Sequence, residues 1–192
     1  GYTLWSLGEY EEAKEVLREA VPLGPHSPLN HYFLALLHRS EGYYEAALLE
    51  LEKALELDPE NAAICAEIAT TYLEKRDYVA AREWYQAAAK WAPKEVEFHL
   101  LQAQFHLGHL LWLEEGVDAA QMAVALDPEN AIAWDLLGWG QYLVEKPEEA
   151  KSSLKRAIDL NPDLASAYYH LGLVYAQEGL KDMARWAYER AI

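Results

Sequence analysis

The chain has 192 residues, with 16 Lys and Arg against 32 Asp and Glu, so its formal net charge is −16. Such acidity disfavours binding to nucleic acids, whose phosphates are contacted mainly by Lys and Arg, and binding to anionic membranes. No apolar run reaches the ~18 residues of a membrane-spanning helix, so no direct membrane insertion is expected. The single Cys65 excludes an internal disulfide and favours a reducing compartment such as the cytoplasm.

A repeat of 34 or 35 residues runs through the whole chain. Its clearest markers are the prolines Pro25, Pro59, Pro93, Pro128 and Pro162. Small residues recur with the same period at Ala13, Ala47, Ala81, Gly116, Ala150 and Ala184. Few residues are Val, Ile or Thr, whereas the helix formers Ala, Leu, Glu, Lys and Gln are abundant, so we expect an all-α protein. The spacing predicts one array of six repeats, numbered 1 to 6 in chain order: 1–27, 28–61, 62–95, 96–130, 131–164 and 165–192.

Each repeat is predicted to be a pair of helices, as repeat 5 illustrates. Its first helix shows a stripe of spacing typical of one helical face, which includes Trp134, Leu137 and Gln141. Pro147 opens the second helix, where its missing N–H is tolerated, and Pro162 follows that helix. Small residues are expected where two helices cross closely.

Three repeats depart from the pattern. Repeat 1 begins within its first helix and repeat 6 stops within its second, so we expect a fragment of a longer protein with two uncapped ends. Repeat 4 is one residue longer, which predicts a distorted turn between His106 and Leu113 with an exposed Trp112.

Catalytic and metal-binding motifs are not found. His31 and His38 are seven residues apart, as are His99 and His106, and two helical turns separate each pair by ~10 Å, too far to share one ion. We therefore expect these histidines to pack between helices, with about one hydrogen bond each. Cys65 is expected in the core. The sequence predicts no enzyme, no cofactor and no metal site.

The repeats resemble the tetratricopeptide repeat (TPR) family. The resemblance rests on Trp134, Leu137 and Gly138 in repeat 5, and it covers almost the whole chain. Repeat 6 carries the same features at Tyr168, Leu171, Gly172 and Tyr175. The resemblance implies a superhelical solenoid of about six stacked helix-turn-helix repeats. It also implies that the first helices line a concave groove that binds a protein or peptide partner.

The period then places the groove residues. The candidates are Trp5, Tyr32, Leu36, Arg39, Glu67, Glu74, Glu97, Leu100, Asp135, Trp139, Tyr142, Tyr169 and Leu173. The aromatic members are expected to anchor a partner, and the carboxylates to favour one that combines apolar residues with Lys or Arg. The alternative for the aromatic residues is packing against neighbouring repeats. Some members of the family hold a terminal carboxylate with Lys, Arg and Asn, but here those positions are Tyr32, Leu36, Glu67, Glu97 and Leu101.

The sequence therefore favours a protein-interaction scaffold. Two alternatives stay open, namely a structural module that forms homo-oligomers through its ends and a regulatory arm of a larger enzyme.

Overall fold

The structure, a computed structural model, describes residues 26–192 together with Glu12, Glu15, Val16, Glu19 and Gly24. Most of repeat 1, including Trp5 and Ala13, lies outside the described residues. Ten helices have described bounds, and the described part of the chain contains no strand. They are α1 (Pro28–Ser40), α2 (Tyr44–Leu57), α3 (Ala62–Glu74), α4 (Tyr78–Trp91), α5 (Val96–Gly108), α6 (Leu113–Leu126), α7 (Ala131–Leu143), α8 (Pro147–Leu160), α9 (Ala165–Gln177) and α10 (Lys181–Arg190). This confirms the all-α class and the paired helices of repeats 2 to 6.

The chain divides into two compact units, Gly1–Ala92 and Pro93–Ile192. In the first unit α1 packs against α2 and α3 against α4, while α2 also contacts α3. In the second unit the hairpins α5–α6, α7–α8 and α9–α10 stack in the same way. None of the described helices has the length and apolarity needed to cross a membrane.

Local sequence explains where the helices begin. Asn61, Asp77 and Asn130 precede α3, α4 and α7, and each side chain accepts hydrogen bonds from N–H groups of the first turn. Pro147 is the first residue of α8, as predicted. Glu148 and Glu149 lie in the same turn, where a carboxylate interacts favourably with the helix dipole.

The small-residue positions lie at helix crossings, as the period predicts. Ala47, Ala81 and Ala150 are fully buried, and Ala184 is nearly so. Gly116 faces α5, because a Cβ built on it would lie 2.7 Å from Leu107 Cδ2. Any larger side chain at these positions would hold the paired helices apart.

The turn of repeat 4 confirms the predicted distortion. Every other described hairpin turns through one residue with positive φ, namely Gly42, Arg76, Glu145 and Gly179. The longer turn of repeat 4 has two, Leu110 at 54° and Trp112 at 50°.

The expected exposure of Trp112 is wrong. Its ring is half-buried, with its centroid 6.2 Å from that of Phe105 and 5.9 Å from that of His106. The added residue turns the indole back onto α5, where contact with two other rings shields it from water.

Candidate functional site

The groove candidates of the first unit form one polar cluster between α1 and α3. Arg39 donates from Nη1 to Glu67, and its Nε lies 3.6 Å from Glu74 Oε1. The hydroxyl of Tyr32 donates to the other oxygen of Glu67 at 3.2 Å. Glu67 is therefore already held by a guanidinium and a phenol, so its capacity to attract a partner's Lys or Arg is reduced.

A second polar contact lies beside this cluster and joins α3 to α4. The hydroxyls of Thr70 on α3 and Tyr85 on α4 lie 3.1 Å apart. Burial raises the pKa of Tyr85, which outweighs the opposing effect of the hydrogen bond with Thr70, so the phenol stays protonated at neutral pH. Sequence analysis did not select Tyr85, because it belongs to a second helix.

An apolar cleft of about 390 Å³ opens beside the same two helices. Leu29, Tyr32 and Ile64 supply its apolar walls, and Asp58 and Asn61 its polar edge. Leu29 is 60% exposed, so its apolar side chain is accessible at the edge of this cleft. The predicted groove residue Leu36 lies on the same helix and is half-buried.

In the second unit, Asp135 occupies a different environment from the exposed one expected. The residue is only 4% exposed, and its Oδ1 lies 2.7 Å from Nδ1 of His170 on α9. Stacking of α9 against α7 brings this imidazole over the carboxylate. Asp135 therefore stabilises the contact between two repeats, where a free carboxylate for a partner was expected.

Trp139 contacts two other aromatic rings. It stacks on His170 with ring centroids 4.6 Å apart and planes inclined by 14°, and on Tyr142 at 5.4 Å and 19°. The alternative of packing against a neighbouring repeat thus accounts for Trp139. Its removal should lower stability as well as any affinity for a partner.

Tyr169 differs from Trp139 in its exposure, because half of its surface is accessible to water. Together with Leu173 it borders a cleft of about 640 Å³ in repeat 6. The opposite wall is Tyr188, whose ring centroid lies 6.0 Å from that of Tyr169, and Ile192. Tyr169 is the most exposed aromatic residue among the groove candidates of this unit.

The remaining candidates are separated. Glu97 is exposed on α5, and Leu100 on the same helix packs against the core of the second unit. Trp5 lies outside the described residues. The structure therefore brings together Tyr32, Arg39, Glu67 and Glu74 in the first unit, and Asp135, Trp139 and Tyr142 with His170 in the second.

The histidines and Cys65 lie largely where expected. His31 and His99 are buried, with Nδ1 of His31 2.6 Å from Glu50 and Nε2 of His99 3.1 Å from the carbonyl of Pro93. Cys65 is buried in α3. No group of three or more potential metal ligands occurs in the part of the chain that the structure describes.

The pKa of Glu50 reflects its surroundings in α2. Burial raises it, but hydrogen bonds from Lys53 and His31, together with their charges, outweigh that effect and lower it below the ordinary value. Lys53 Nζ donates to Glu50 at 2.7 Å. This buried carboxylate is therefore ionised and links α1 to α2.

The sequence pattern did not predict two residues of these contacts. His170 lies one position after the groove candidate Tyr169 on α9, and Tyr188 lies on the second helix α10. A usable signal did exist for His170: residues 35 apart on successive first helices meet, as Tyr32 meets Glu67 and Asp135 meets His170.

Comparison with known proteins identifies the same repeat. Tetratricopeptide-repeat family models match residues 1–62 and 38–105, and a TPR-repeat model matches 145–179. The chain is 30% identical over 177 residues to a BBSome complex member BBS4 homolog of Drosophila melanogaster, covering 87% of the chain and 34% of the relative. It is 27% identical over 187 residues to a peroxisomal targeting signal receptor of Candida albicans, covering 87% and 31%. The chain thus spans about a third of the length of these relatives.

Solved structures agree in fold. A MamA crystal structure superposes with a TM-score of 0.73 at 22% identity, covering 85% of this chain and 89% of that one. YrrB, described as a TPR protein with an unusual peptide-binding site, gives 0.71 at 22% identity, covering 92% and 90%. Repeat period, helical hairpins and these likenesses lead to one conclusion: the chain belongs to the tetratricopeptide-repeat family.

Proposed function

We propose that the chain is a protein-interaction scaffold that binds a peptide or helix of a partner protein on its first helices. The observation that carries the proposal is a set of exposed apolar side chains there. Leu29 on α1 and Ile132 on α7 occupy the same position of their repeats and are 60% and 45% exposed. Tyr169 on α9 lies one turn further along and is half exposed. In each of the two units, we call the side of the first helices that carries these residues the first-helix face.

The relatives support a binding role. The Candida albicans relative is a targeting signal receptor, and the similar YrrB structure is described by its peptide-binding site. Exposed large apolar residues at repeated positions are the kind of surface that protein partners cover. No step of catalysis is required of any residue on this face.

We also propose that the chain prefers partner segments that combine apolar residues with Lys or Arg. The support for this preference is the net charge of −16 together with the exposed carboxylate of Glu97; the carboxylate of Glu74 is exposed too but contributes less, because Arg39 Nε lies 3.6 Å from its Oε1. Glu67 and Asp135 contribute less, because Arg39 and His170 contact them. Such charges would act mainly on the association rate and would weaken as salt shortens the Debye length.

The test is a peptide array probed with the 192-residue chain and with two single variants, Leu29→Ser and Ile132→Ser. These side chains are exposed, so both variants should fold, and each should weaken capture of the selected peptides. Leu49→Ser, at an equally exposed leucine on the second helix α2, is the matched control and should bind as the parent does. Selection of acidic peptides would contradict the preference, and equal binding by all four proteins would contradict the site.

A further inference from the structure

The cleft between α1 and α3 joins an apolar surface to a carboxylate. Leu29 and Tyr32 of α1 and Ile64 of α3 form its apolar walls, and Asp58, in the turn before α3, lies at its edge. Within the part of the chain that the structure describes, Asp58 forms no ion pair. A site for an apolar group thus borders a negative charge that no cation of the described residues neutralises.

Contacts within the chain hold the walls of this cleft in place. The hydroxyl of Tyr32 donates to Glu67 at 3.2 Å, which fixes the phenol ring that lines the cleft. Ile64 is buried in the core of the first unit, and Leu29 is exposed at the opening. Because α1 and α3 are first helices of consecutive hairpins, the hairpin that follows α1 and α2 is already in its place. The opening therefore does not mark the position of a further repeat.

The same turn sequence in the second unit shows what distinguishes Asp58. Asp58 and Asp127 both stand in the sequence Leu-Asp-Pro-Glu-Asn. Asp127 accepts hydrogen bonds at both oxygens, from the N–H of Glu129 at 3.3 Å and from Nδ2 of Asn130 at 3.2 Å. Asp58 accepts at Oδ2 from Nδ2 of Asn61 at 2.8 Å, and none of the described residues donates to its Oδ1. One oxygen of Asp58 is therefore available to a donor from another molecule.

The residues next to the two turns also differ. In the second unit Glu97 holds the position of Leu29, and Ile132 holds that of Ala63. Ala63 lines the cleft, and its single methyl group leaves space that the larger side chain of an isoleucine would fill. Apolar space and an available carboxylate oxygen therefore occur together beside Asp58.

We propose that this cleft binds an arginine side chain of the partner segment, with the methylene stem on Leu29 and Ile64 and the guanidinium at Asp58. A long basic side chain covers apolar surface with its stem while its charged head stays near water. The planar guanidinium donates well-oriented hydrogen bonds to a carboxylate and lies favourably against an aromatic ring, which Tyr32 supplies here. The inference rests on the proposed function and adds the side chain that the first-helix face recognises in the first unit.

Other groups match this cleft less well. A purely apolar side chain would bring hydrocarbon against the carboxylate of Asp58 and shield it from water without giving it a partner. An anionic group would be repelled by Asp58. It would also find the first turn of α3 occupied, because Asn61 already accepts from the N–H of Ile64 at 3.1 Å.

The probe is the peptide acetyl-Ala-Leu-Arg-Leu-Ala-amide, titrated into the ¹⁵N-labelled 192-residue chain and followed by NMR spectroscopy. Its reference is the same peptide with norleucine, which keeps an apolar stem and lacks the charge. The arginine peptide should shift, in a saturable way, the amide signals of Leu29 and Ile64 and the side-chain amide of Asn61, which donates to Asp58. The norleucine peptide should bind about fivefold more weakly, as expected when a partly exposed ion pair is lost.

A matched pair of variants locates the charge that matters. Asp58→Asn removes the charge and keeps an oxygen that can accept from Asn61, so its melting temperature should equal that of the parent. It should weaken binding of the arginine peptide about fivefold and leave that of the norleucine peptide unchanged. Asp127→Asn makes the same change in the same turn sequence of the second unit and should bind both peptides as the parent does.

The outcomes separate this inference from the proposed function. Ile132→Ser tests the proposed function at a residue outside the cleft. If Ile132→Ser weakens capture of array peptides while Asp58→Asn leaves binding of the arginine peptide unchanged, the assignment of the cleft is wrong and the proposed function stands. Equal affinity of the arginine and norleucine peptides would make an apolar side chain the occupant and overturn the proposal. Equal affinity of a lysine peptide would contradict the recognition of a guanidinium, and shifts confined to signals away from the cleft would contradict the site.

Discussion

Nδ1 of His170 lies 2.7 Å from Oδ1 of Asp135, although the two residues belong to different repeats. Both side chains are largely withdrawn from water, and the imidazole also stacks on Trp139. This contact joins α7 to α9 and fixes the aromatic rings between them.

Removing the imidazole should therefore destabilise the second unit. His170→Ala leaves the buried Asp135 carboxylate without this partner, which typically costs about 1–3 kcal/mol. The double variant His170→Ala/Asp135→Ala should lose less than the sum of the single variants, because it leaves no buried charge behind. Urea unfolding of all four proteins measures this coupling, and strictly additive losses would contradict it.

The close helix crossing at Gly138 gives a second prediction. A Cβ on this residue would lie 2.6 Å from Cγ of Leu154, whose side chain is fully buried. Gly138→Ala should therefore lower stability by about 1–3 kcal/mol through overpacking, despite the higher helix propensity of alanine.

Gly108→Ala provides the control for that substitution. Gly108 is also helical, and a Cβ there would meet no atom within 4 Å. The melting temperature of the Gly108→Ala variant should equal or exceed that of the parent protein. Equal destabilisation by both alanines would show that the crossing is looser than the structure indicates.

Acid should weaken the first unit through Glu50. Burial raises the folded-state pKa of this carboxyl, but the hydrogen bonds that it accepts from Lys53 and His31 outweigh burial and lower it. Its stabilising contribution is therefore present above the unfolded value of about 4.3 and is lost as the pH falls through the folded value. Glu50→Gln should thus show a smaller loss of stability than the parent between pH 5 and 3. Denaturant melts at several pH values measure this difference, and parallel curves would contradict it.

Arg39 should limit the attraction of the first-helix face for basic peptides. Arg39→Gln releases Glu67 and Glu74, so binding of Lys- or Arg-containing peptides should strengthen while stability falls by about 1 kcal/mol or less. Lys94→Gln changes the net charge equally at an exposed position outside this cluster and is the control. If Arg39→Gln and Lys94→Gln strengthen binding by the same factor, the effect comes from the net charge of the protein and not from the carboxylates of Glu67 and Glu74.

The sequence was sufficient to predict the helical hairpins, because the markers of each hairpin are local or periodic. Pro147 favours the start of a helix whatever surrounds its repeat. The position of Ala150 requires a small residue in every repeat. The environment of Asp135 could not be obtained in this way. The burial of Asp135 depends on how α9 stacks on α7. A helical pattern places Asp135 and His170 on their own helices, but it does not give the distance between the two side chains.

Arg39 illustrates the same limit. The period correctly grouped it with Glu67 and Glu74 on first helices, yet the pattern alone does not say that the three side chains contact one another. Trp112 was expected to be exposed because it lies in the irregular turn between His106 and Leu113, and the folded turn instead directs its ring onto Phe105. The single array of six repeats remains a prediction, because most of repeat 1 lies outside the described residues and the chain divides into two units.

The central claim is that a partner segment contacts the first-helix face. The most direct measurement is photo-crosslinking of an array-selected peptide, followed by mass spectrometry to locate the crosslinked residues. Crosslinks are expected near Leu29, Ile132 or Tyr169, and excess unlabelled peptide should suppress them. Crosslinks concentrated instead on exposed residues of the second helices, such as Leu49 or Met122, would contradict it.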